Sequence, residues 1–107
     1  MKDRELLELA AKAANIPIKF TPEGIPFHAE MQGNPGFRCW VAWNPLADDG
    51  DALRLAVSMN MGISIYDVQV TAASAFGMPV KEHDKDTAKA TRRAIVRAAA
   101  EIGRAIP

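Results

Sequence analysis

The chain has 107 residues, of which 49% are hydrophobic and 24% are charged, fractions close to those of globular domains. This length suits one domain, so we expect a single domain over residues 1–107, and the composition argues against disordered and fibrous classes. Thirteen basic and thirteen acidic side chains give a net charge of zero, so no overall field attracts nucleic acid or an anionic membrane.

The sequence also bears on the cellular compartment. Its one cysteine, Cys39, cannot form an internal disulfide and lies in an apolar, strand-like run, which is typical of a reducing cytoplasm. Residues 1–15 begin with charged side chains and lack the continuous apolar core of a signal peptide. No apolar run approaches the roughly 18 residues of a transmembrane helix. We therefore expect a cytoplasmic protein without a membrane partner.

Helical periodicity marks the first part of the chain and returns in its middle. Residues 3–14 place apolar side chains three or four positions apart, with charged ones between them, which predicts an amphipathic helix. Asp3 is the expected N-cap, and Asn15 is the expected left-handed stop. The same apolar spacing over residues 49–59 predicts a second helix.

Strands are predicted between these two helices, where proline and glycine interrupt the chain. Residues 25–32 and 37–43 are expected to pair as antiparallel strands across a turn at 34–36, because proline presets φ and glycine accepts positive φ there. Trp40 and Trp43 lie on opposite faces of the second strand. We therefore expect both faces of this strand to be covered.

A second strand region follows the middle helix. Residues 63–71 are rich in β-branched and aromatic types that alternate with polar ones, which predicts one strand. Residues 76–82 are predicted to pair back onto it after a turn near 73–75. Gly77 and Pro79 would confine this partner strand to an edge of the sheet.

The longest predicted helix covers residues 86–106. Its apolar stripe consists of Ala88, Thr91, Ile95, Ala99, Ile102 and Ile106. Because the helix is rich in alanine, it can approach a neighbouring element closely. The order helix, strands, helix, strands, helix predicts an α+β fold, with a small, mainly antiparallel sheet and three helices in a three-layer α-β-α sandwich. All three helical stripes are expected to turn onto one shared sheet.

The run WNPLADDGD at residues 43–51 combines an aromatic residue, a turn and three carboxylates. It supplies the first candidate binding residues, which are Trp43, Asn44, Asp48, Asp49 and Asp51. Carboxylate and amide oxygens suit calcium or magnesium, but the spacing is not that of an EF-hand loop. Asn44 also initiates a turn, and acidic side chains favour a helix N-terminus. Helix capping is therefore the preferred interpretation, and no metal is predicted.

The last predicted helix has more basic than acidic side chains. The second set of candidate binding residues comprises Lys89, Arg92, Arg93 and Arg97. Such a face can contact phosphates, but a solvated outer face has the same pattern. No aromatic residues lie between these charges, and no phosphate-binding loop accompanies them. Nucleic-acid binding is accordingly an alternative, and solvation is the preferred interpretation.

The sequence contains no recognisable catalytic constellation. His28 and His83 are its two histidines, and they form neither a zinc motif nor a cluster with Cys39. The serines lack a glycine elbow, and Cys39 lies mid-strand without an identifiable base. We therefore expect neither a catalytic residue nor a cofactor, and a non-enzymatic role is favoured.

Three stretches carry a resemblance to a known family. DRELLELAAKAA, WNPLADDGDALRLAV and ATRRAIVRAAAEIGRAI resemble small uncharacterised proteins of phages and prophages whose domain is called the phage ABA sandwich. The resemblance implies helix–sheet–helix layers and an accessory protein of a phage or prophage. It implies no catalytic or binding residues.

These observations lead to one main functional expectation and two alternatives. The main expectation is a non-enzymatic module that binds an unidentified macromolecule in the cytoplasm of a bacterial host. One alternative is nucleic-acid binding through the basic face of the last helix. The other is a small-ligand binder or enzyme that uses the 43–51 loop. The sequence leaves the oligomeric state undetermined.

Overall fold

The computed structural model describes residues 2–32, 37–66, 69–73 and 79–107, and over these residues it contains three helices and six strands. The elements in chain order are α1 (Asp3–Ala14), β1 (Ile18–Phe20), β2 (Pro26–Gln32), β3 (Phe37–Ala42), α2 (Asp49–Ser58), β4 (Gly62–Ile65), β5 (Val70–Ala73), β6 (Val80–Glu82) and α3 (Thr87–Ala105). The predicted α+β class, with antiparallel strands and three helices, is confirmed.

The ends of α1 are set by local backbone chemistry. Asn15 adopts the left-handed conformation with φ 58°, and its N–H donates to carbonyl groups of the last turn, as predicted. The N-cap position is occupied by Lys2, whose side chain makes no capping hydrogen bond. The prediction that Asp3 caps α1 is therefore wrong by one residue, and Asp3 lies instead in the first turn.

The other two helices begin at aspartates that cap them. The Asp48 carboxylate accepts a hydrogen bond from the Asp51 N–H at 2.8 Å at the start of α2. The Asp86 carboxylate accepts one from the Lys89 N–H at 3.1 Å at the start of α3. Each carboxylate satisfies a backbone donor that has no partner within the helix.

The first sheet is antiparallel, with strand order β1-β2-β3. Phe27 pairs with Ala42, and the Trp43 N–H donates to the Pro26 carbonyl at 3.1 Å, which extends the β2–β3 ladder. The predicted β2–β3 pairing is confirmed, while the predicted turn at 34–36 lies outside the described residues. Trp43 is 4% exposed, but Trp40 on the opposite face is 40% exposed. The expected cover on both faces of β3 is thus present on the Trp43 face alone.

The second sheet is also antiparallel, with strand order β4-β5-β6. The single strand predicted over 63–71 is a hairpin, because Ile65 pairs with Val70 and the Tyr66 N–H donates to the Gln69 carbonyl at 2.9 Å. Of the partner strand predicted over 76–82, Val80–Glu82 pair with β5 and lie at the sheet edge, whereas residues 76–78 and most of the predicted turn near 73–75 lie outside the described residues. The strands thus form two sheets of three, where one shared sheet was expected.

The core is organised around α3, which packs against α1, α2 and the second sheet. Residues from much of its circumference are buried, namely Ala90, Ala94, Ile95, Val96, Ala98, Ala99, Ala100 and Gly103. The predicted stripe was narrower than this surface, and two of its members, Ala88 and Ile106, are exposed. None of the helices that the structure describes is both long and apolar enough to span a bilayer.

Candidate functional site

The predicted binding loop at residues 43–51 is held by its own polar side chains. The Asn44 side-chain oxygen accepts a hydrogen bond from the Leu46 N–H at 3.1 Å, which forms a tight turn. The Asn44 N–H in turn donates to the Asp51 carboxylate at 2.9 Å. Together with the Asp48 cap, these bonds fix the entry into α2. Capping accounts for the contact of Asp48 and turn formation for that of Asn44, whereas the Asp51 carboxylate instead binds Asn44 and Arg54.

Asp51 is the most buried of the loop carboxylates, at 8% exposure. Besides the Asn44 N–H, it accepts a hydrogen bond from Arg54 Nη2 at 2.6 Å. A buried carboxylate is expensive unless it is paired and hydrogen-bonded, and Asp51 meets both conditions. Within the described part of the chain, no group of three or more His, Cys, Asp or Glu side chains is placed to hold a metal ion.

Trp43 and Asp51 border a cavity of about 330 Å³ between the end of α1, the first sheet and α2, which we call the polar cavity. His28, Arg54 and Ser58 contribute further polar groups to its lining. Trp43 and Asp51 were predicted from the sequence as binding residues, whereas these three were not. A signal for two of them was present, because positions 51, 54 and 58 recur at helical spacing and share one face of α2.

The basic side chains predicted on α3 do not form a free surface. Arg92 is 18% exposed; its Nε donates to the Leu46 carbonyl at 2.9 Å, and its Nη1 pairs with Asp49 at 2.7 Å. Arg92 therefore fastens the 43–51 loop to α3. Lys89 lies 3.8 Å from Asp84, at the start of the same helix.

Arg93 and Arg97 link α3 to two other elements. Arg93 pairs with Asp3 of α1 at 3.2 Å and with Glu82 of β6 at 3.6 Å, and Arg97 pairs with the same Glu82 carboxylate. Arg97 also donates to the Lys81 carbonyl at 3.3 Å. These acidic partners neutralise much of the positive charge that a phosphate backbone would need.

A second cavity, of about 390 Å³, lies between α2 and β4, with α3 as its floor. We call it the apolar groove, and it is lined mainly by Leu53 of α2, Ile63 and Ile65 of β4, and Ile95 of α3. Leu53 belongs to the apolar pattern that predicts the second helix over residues 49–59. The structure exposes Leu53, because Ala52, Leu55 and Ala56 are the α2 residues that reach the core.

The apolar groove and the polar cavity use opposite sides of α2. Asp51, Leu55 and Ser58 face the cavity, whereas Ala52 and Leu53 face the groove. At about 100° per residue, these two sets lie roughly half a turn apart around the helix axis. The two sites can therefore be tested independently.

Comparison of the chain with known protein families, curated proteins and solved structures finds no match in any of the three. The kinship with phage ABA sandwich proteins stays a prediction from the sequence.

Proposed function

We propose that the chain is a non-enzymatic module that binds a partner protein by pairing an extended, apolar segment of that partner with the free edge of β4. The main support is a group of large exposed apolar side chains in and beyond the apolar groove. Leu53 and Ile65 line the groove. Val57 lies one turn after Leu53 on α2, and Tyr66 directly follows β4; the four exposures lie between 55% for Ile65 and 68% for Val57. Clusters of this kind are typical of interaction sites, because isolated exposed apolar residues need no explanation but groups of them do.

The free edge of β4 also favours the binding of an extended segment. Among the described residues, β4 pairs with β5 and has no partner on its other side. An edge strand presents unpaired N–H and C=O groups that an added strand can satisfy. In this mode of recognition, main-chain hydrogen bonds provide affinity, and alternate side chains of the added segment provide specificity.

The groove favours apolar side chains of the partner. Its walls from α2 and β4 are aliphatic, and its floor on α3 includes Thr91 and Ile95. The one carboxylate at its rim, Asp49, already pairs with Arg92 at 2.7 Å. A segment with alternating apolar residues would bury those residues in the groove and leave the others in solvent.

The sequence adds a proposed setting for this activity. The resemblance to phage and prophage proteins and the single cysteine support an accessory role in the cytoplasm of a bacterial host. An accessory protein that captures a short segment of another protein needs no catalytic residues, which agrees with the absence of a catalytic motif in the sequence.

Selection of peptides tests the proposal directly. The full chain is used to select binders from a library of short random peptides, and the bound peptide is located by amide NMR shifts. We expect selected peptides to alternate apolar and polar residues and to shift the amides of β4 and outer α2. Leu53→Asp and Ile65→Lys should each weaken binding by about tenfold or more.

Two controls distinguish strand pairing at the apolar groove from nonspecific hydrophobic binding. Ile25 is exposed to a similar extent, at 50%, but lies beside the first sheet, so Ile25→Asp should leave peptide binding unchanged. N-methylation of alternate peptide amides should abolish binding, because it removes donors needed for strand pairing. Failure to select any peptide, or retention of binding by both groove variants, would refute the proposal.

A further inference from the structure

The indole of Trp43 carries an unused hydrogen-bond donor. Trp43 is 4% exposed, and its N–H has no acceptor among the residues that the structure describes. No side-chain nitrogen or oxygen in that part of the chain is fully buried without a hydrogen bond, so the indole nitrogen retains accessible surface. Trp43 borders the polar cavity, and we place this donor at the cavity wall.

A hydrogen-bond acceptor faces the same space. The Ser58 hydroxyl donates to the Leu55 carbonyl at 2.9 Å, which commits its proton and leaves its oxygen lone pairs as acceptors. Ser58 lines the cavity from the C-terminal turn of α2. The cavity therefore offers one N–H donor and one oxygen acceptor that helix and sheet hydrogen bonds do not use.

The charges at the cavity oppose a charged ligand. Asp51 and Arg54 both line it and pair with each other at 2.6 Å, so their charges largely cancel. A bound anion would lie near the Asp51 carboxylate, and a bound cation would lie near the Arg54 guanidinium. Either would lose hydration without gaining an uncompensated opposite charge.

Apart from the imidazole of His28, the remaining lining side chains are apolar, and the space is large enough for a ring. Ile16, Val41 and Leu55 contribute aliphatic surface, and the volume of about 330 Å³ falls within the usual range of small-molecule sites. A ligand that matches all three properties has an apolar body and an uncharged head group that both accepts and donates a hydrogen bond.

We infer that the polar cavity binds a small uncharged amide, whose carbonyl oxygen accepts from the Trp43 indole N–H and whose N–H donates to the Ser58 oxygen. The apolar body of the ligand packs against Ile16, Val41 and Leu55. This site is separate from the apolar groove and does not depend on the proposed protein partner.

Three small ligands test the inference on the full chain. They share the same aromatic ring but differ in the charge of their head group. Benzamide is uncharged, benzoate is an anion and benzylamine is a cation at neutral pH. Each is titrated to about 10 mM, since ligands of this size bind weakly. The two tryptophans give two indole N–H signals in a proton–nitrogen correlation spectrum, and a Trp40→Phe variant assigns them.

We expect benzamide to shift the Trp43 indole signal saturably, with a millimolar Kd, and to leave the Trp40 signal in place. Benzoate and benzylamine should bind at least about fivefold more weakly, as expected from the charge balance. Ser58→Ala should weaken benzamide binding by about three- to tenfold, the usual value of one hydrogen bond. Ser64→Ala, on β4 and away from the cavity, is the matched control and should have no effect.

Several outcomes would overturn the inference. These are no saturable shift with benzamide, equal binding of the three probes, or equal behaviour of the Ser58 and Ser64 variants. Because Trp43 is a core residue, its replacement would confound folding with binding, and Ser58 is therefore the variant on which the test rests. Leu53→Asp should leave benzamide binding intact, so this test and that of the apolar groove fail separately.

Discussion

Gly103 of α3 lies directly against the backbone of Leu9 of α1: a Cβ atom added at Gly103 would fall 1.9 Å from the Leu9 carbonyl oxygen. The two helices approach this closely because their contact surfaces are rich in small residues. Ala10 and Ala99 are both fully buried. The alanine-rich helix α3 was predicted to approach a neighbouring element closely, and the element that it approaches is α1.

Replacing Gly103 with alanine should destabilise the protein by about 2–4 kcal/mol, because the added methyl group overlaps backbone atoms that cannot rotate away. Alanine is the better helix former by about 1 kcal/mol, so the sign of the change shows which effect dominates. Chemical denaturation followed by circular dichroism measures it. Arg104→Ala, at the exposed neighbouring position, should change stability by no more than about 0.5 kcal/mol. Stabilisation by Gly103→Ala would contradict the close packing of α1 and α3.

Asp51→Ala should cost about 2–3 kcal/mol of folding free energy, because it leaves the Asn44 N–H without its acceptor and removes a buried partner of Arg54. Arg54 is mostly exposed and regains water, which keeps the loss below that of a fully buried pair. Asp48→Ala, which removes the cap and an exposed ion pair with Arg54 at 3.8 Å, should cost about 1 kcal/mol. Urea denaturation of both variants measures the difference, and equal losses would show that Asp51 acts merely as a second cap.

The wild-type chain should form no complex with duplex DNA near physiological salt, because Arg93 and Arg97 are paired with Glu82. Glu82→Gln releases the Arg97 guanidinium from its carboxylate and leaves Arg93 paired with Asp3 alone, and it should produce weak, salt-sensitive binding in a mobility-shift assay at low salt. A wild-type complex that disappears with Arg97→Ala would instead favour the nucleic-acid alternative. The Glu82→Gln, Arg97→Ala double variant checks that any gained binding uses the released arginine.

Leu53→Asp should reduce binding of a fluorescent apolar dye while changing stability by only about 0.5 kcal/mol, because Leu53 is 61% exposed. Val57→Asp, one turn further along the same face of α2, should act similarly. Ile25→Asp tests whether the dye reports the groove or any exposed apolar side chain. An equal loss of dye binding in all three variants would remove the groove as a distinct surface.

Features encoded by neighbouring residues were predictable from the sequence. Asn15 ends α1 because asparagine tolerates the left-handed conformation, and Asp48 of the 43–51 loop caps α2 because a short carboxylate reaches the free N–H groups. The β2–β3 pairing followed from two strand patterns around a proline-glycine turn. Each of these signals lies within a few residues of the structure that it specifies.

Features that depend on distant contacts were not predictable in this way. Periodicity over 63–71 reports strand-like residues but not the reversal at Tyr66, so a hairpin looked like one strand. Apolar periodicity in α2 also could not show that Leu53 faces an open groove. The polar cavity combines Trp43 of the first sheet region with Ser58 of α2, and only the tertiary arrangement brings these residues to one space.

The contact between α1 and α3 also governs when the protein can fold during synthesis. Lys12 donates to the carbonyl of Ile106 at 2.7 Å, across 94 positions of sequence. Leu6 and Leu7, made early, stay without their main apolar cover until α3 emerges, although the β2–β3 hairpin can pair long before. The first helix is therefore the part of the nascent chain most in need of protection from aggregation, and chains released before α3 would be targets for proteolysis.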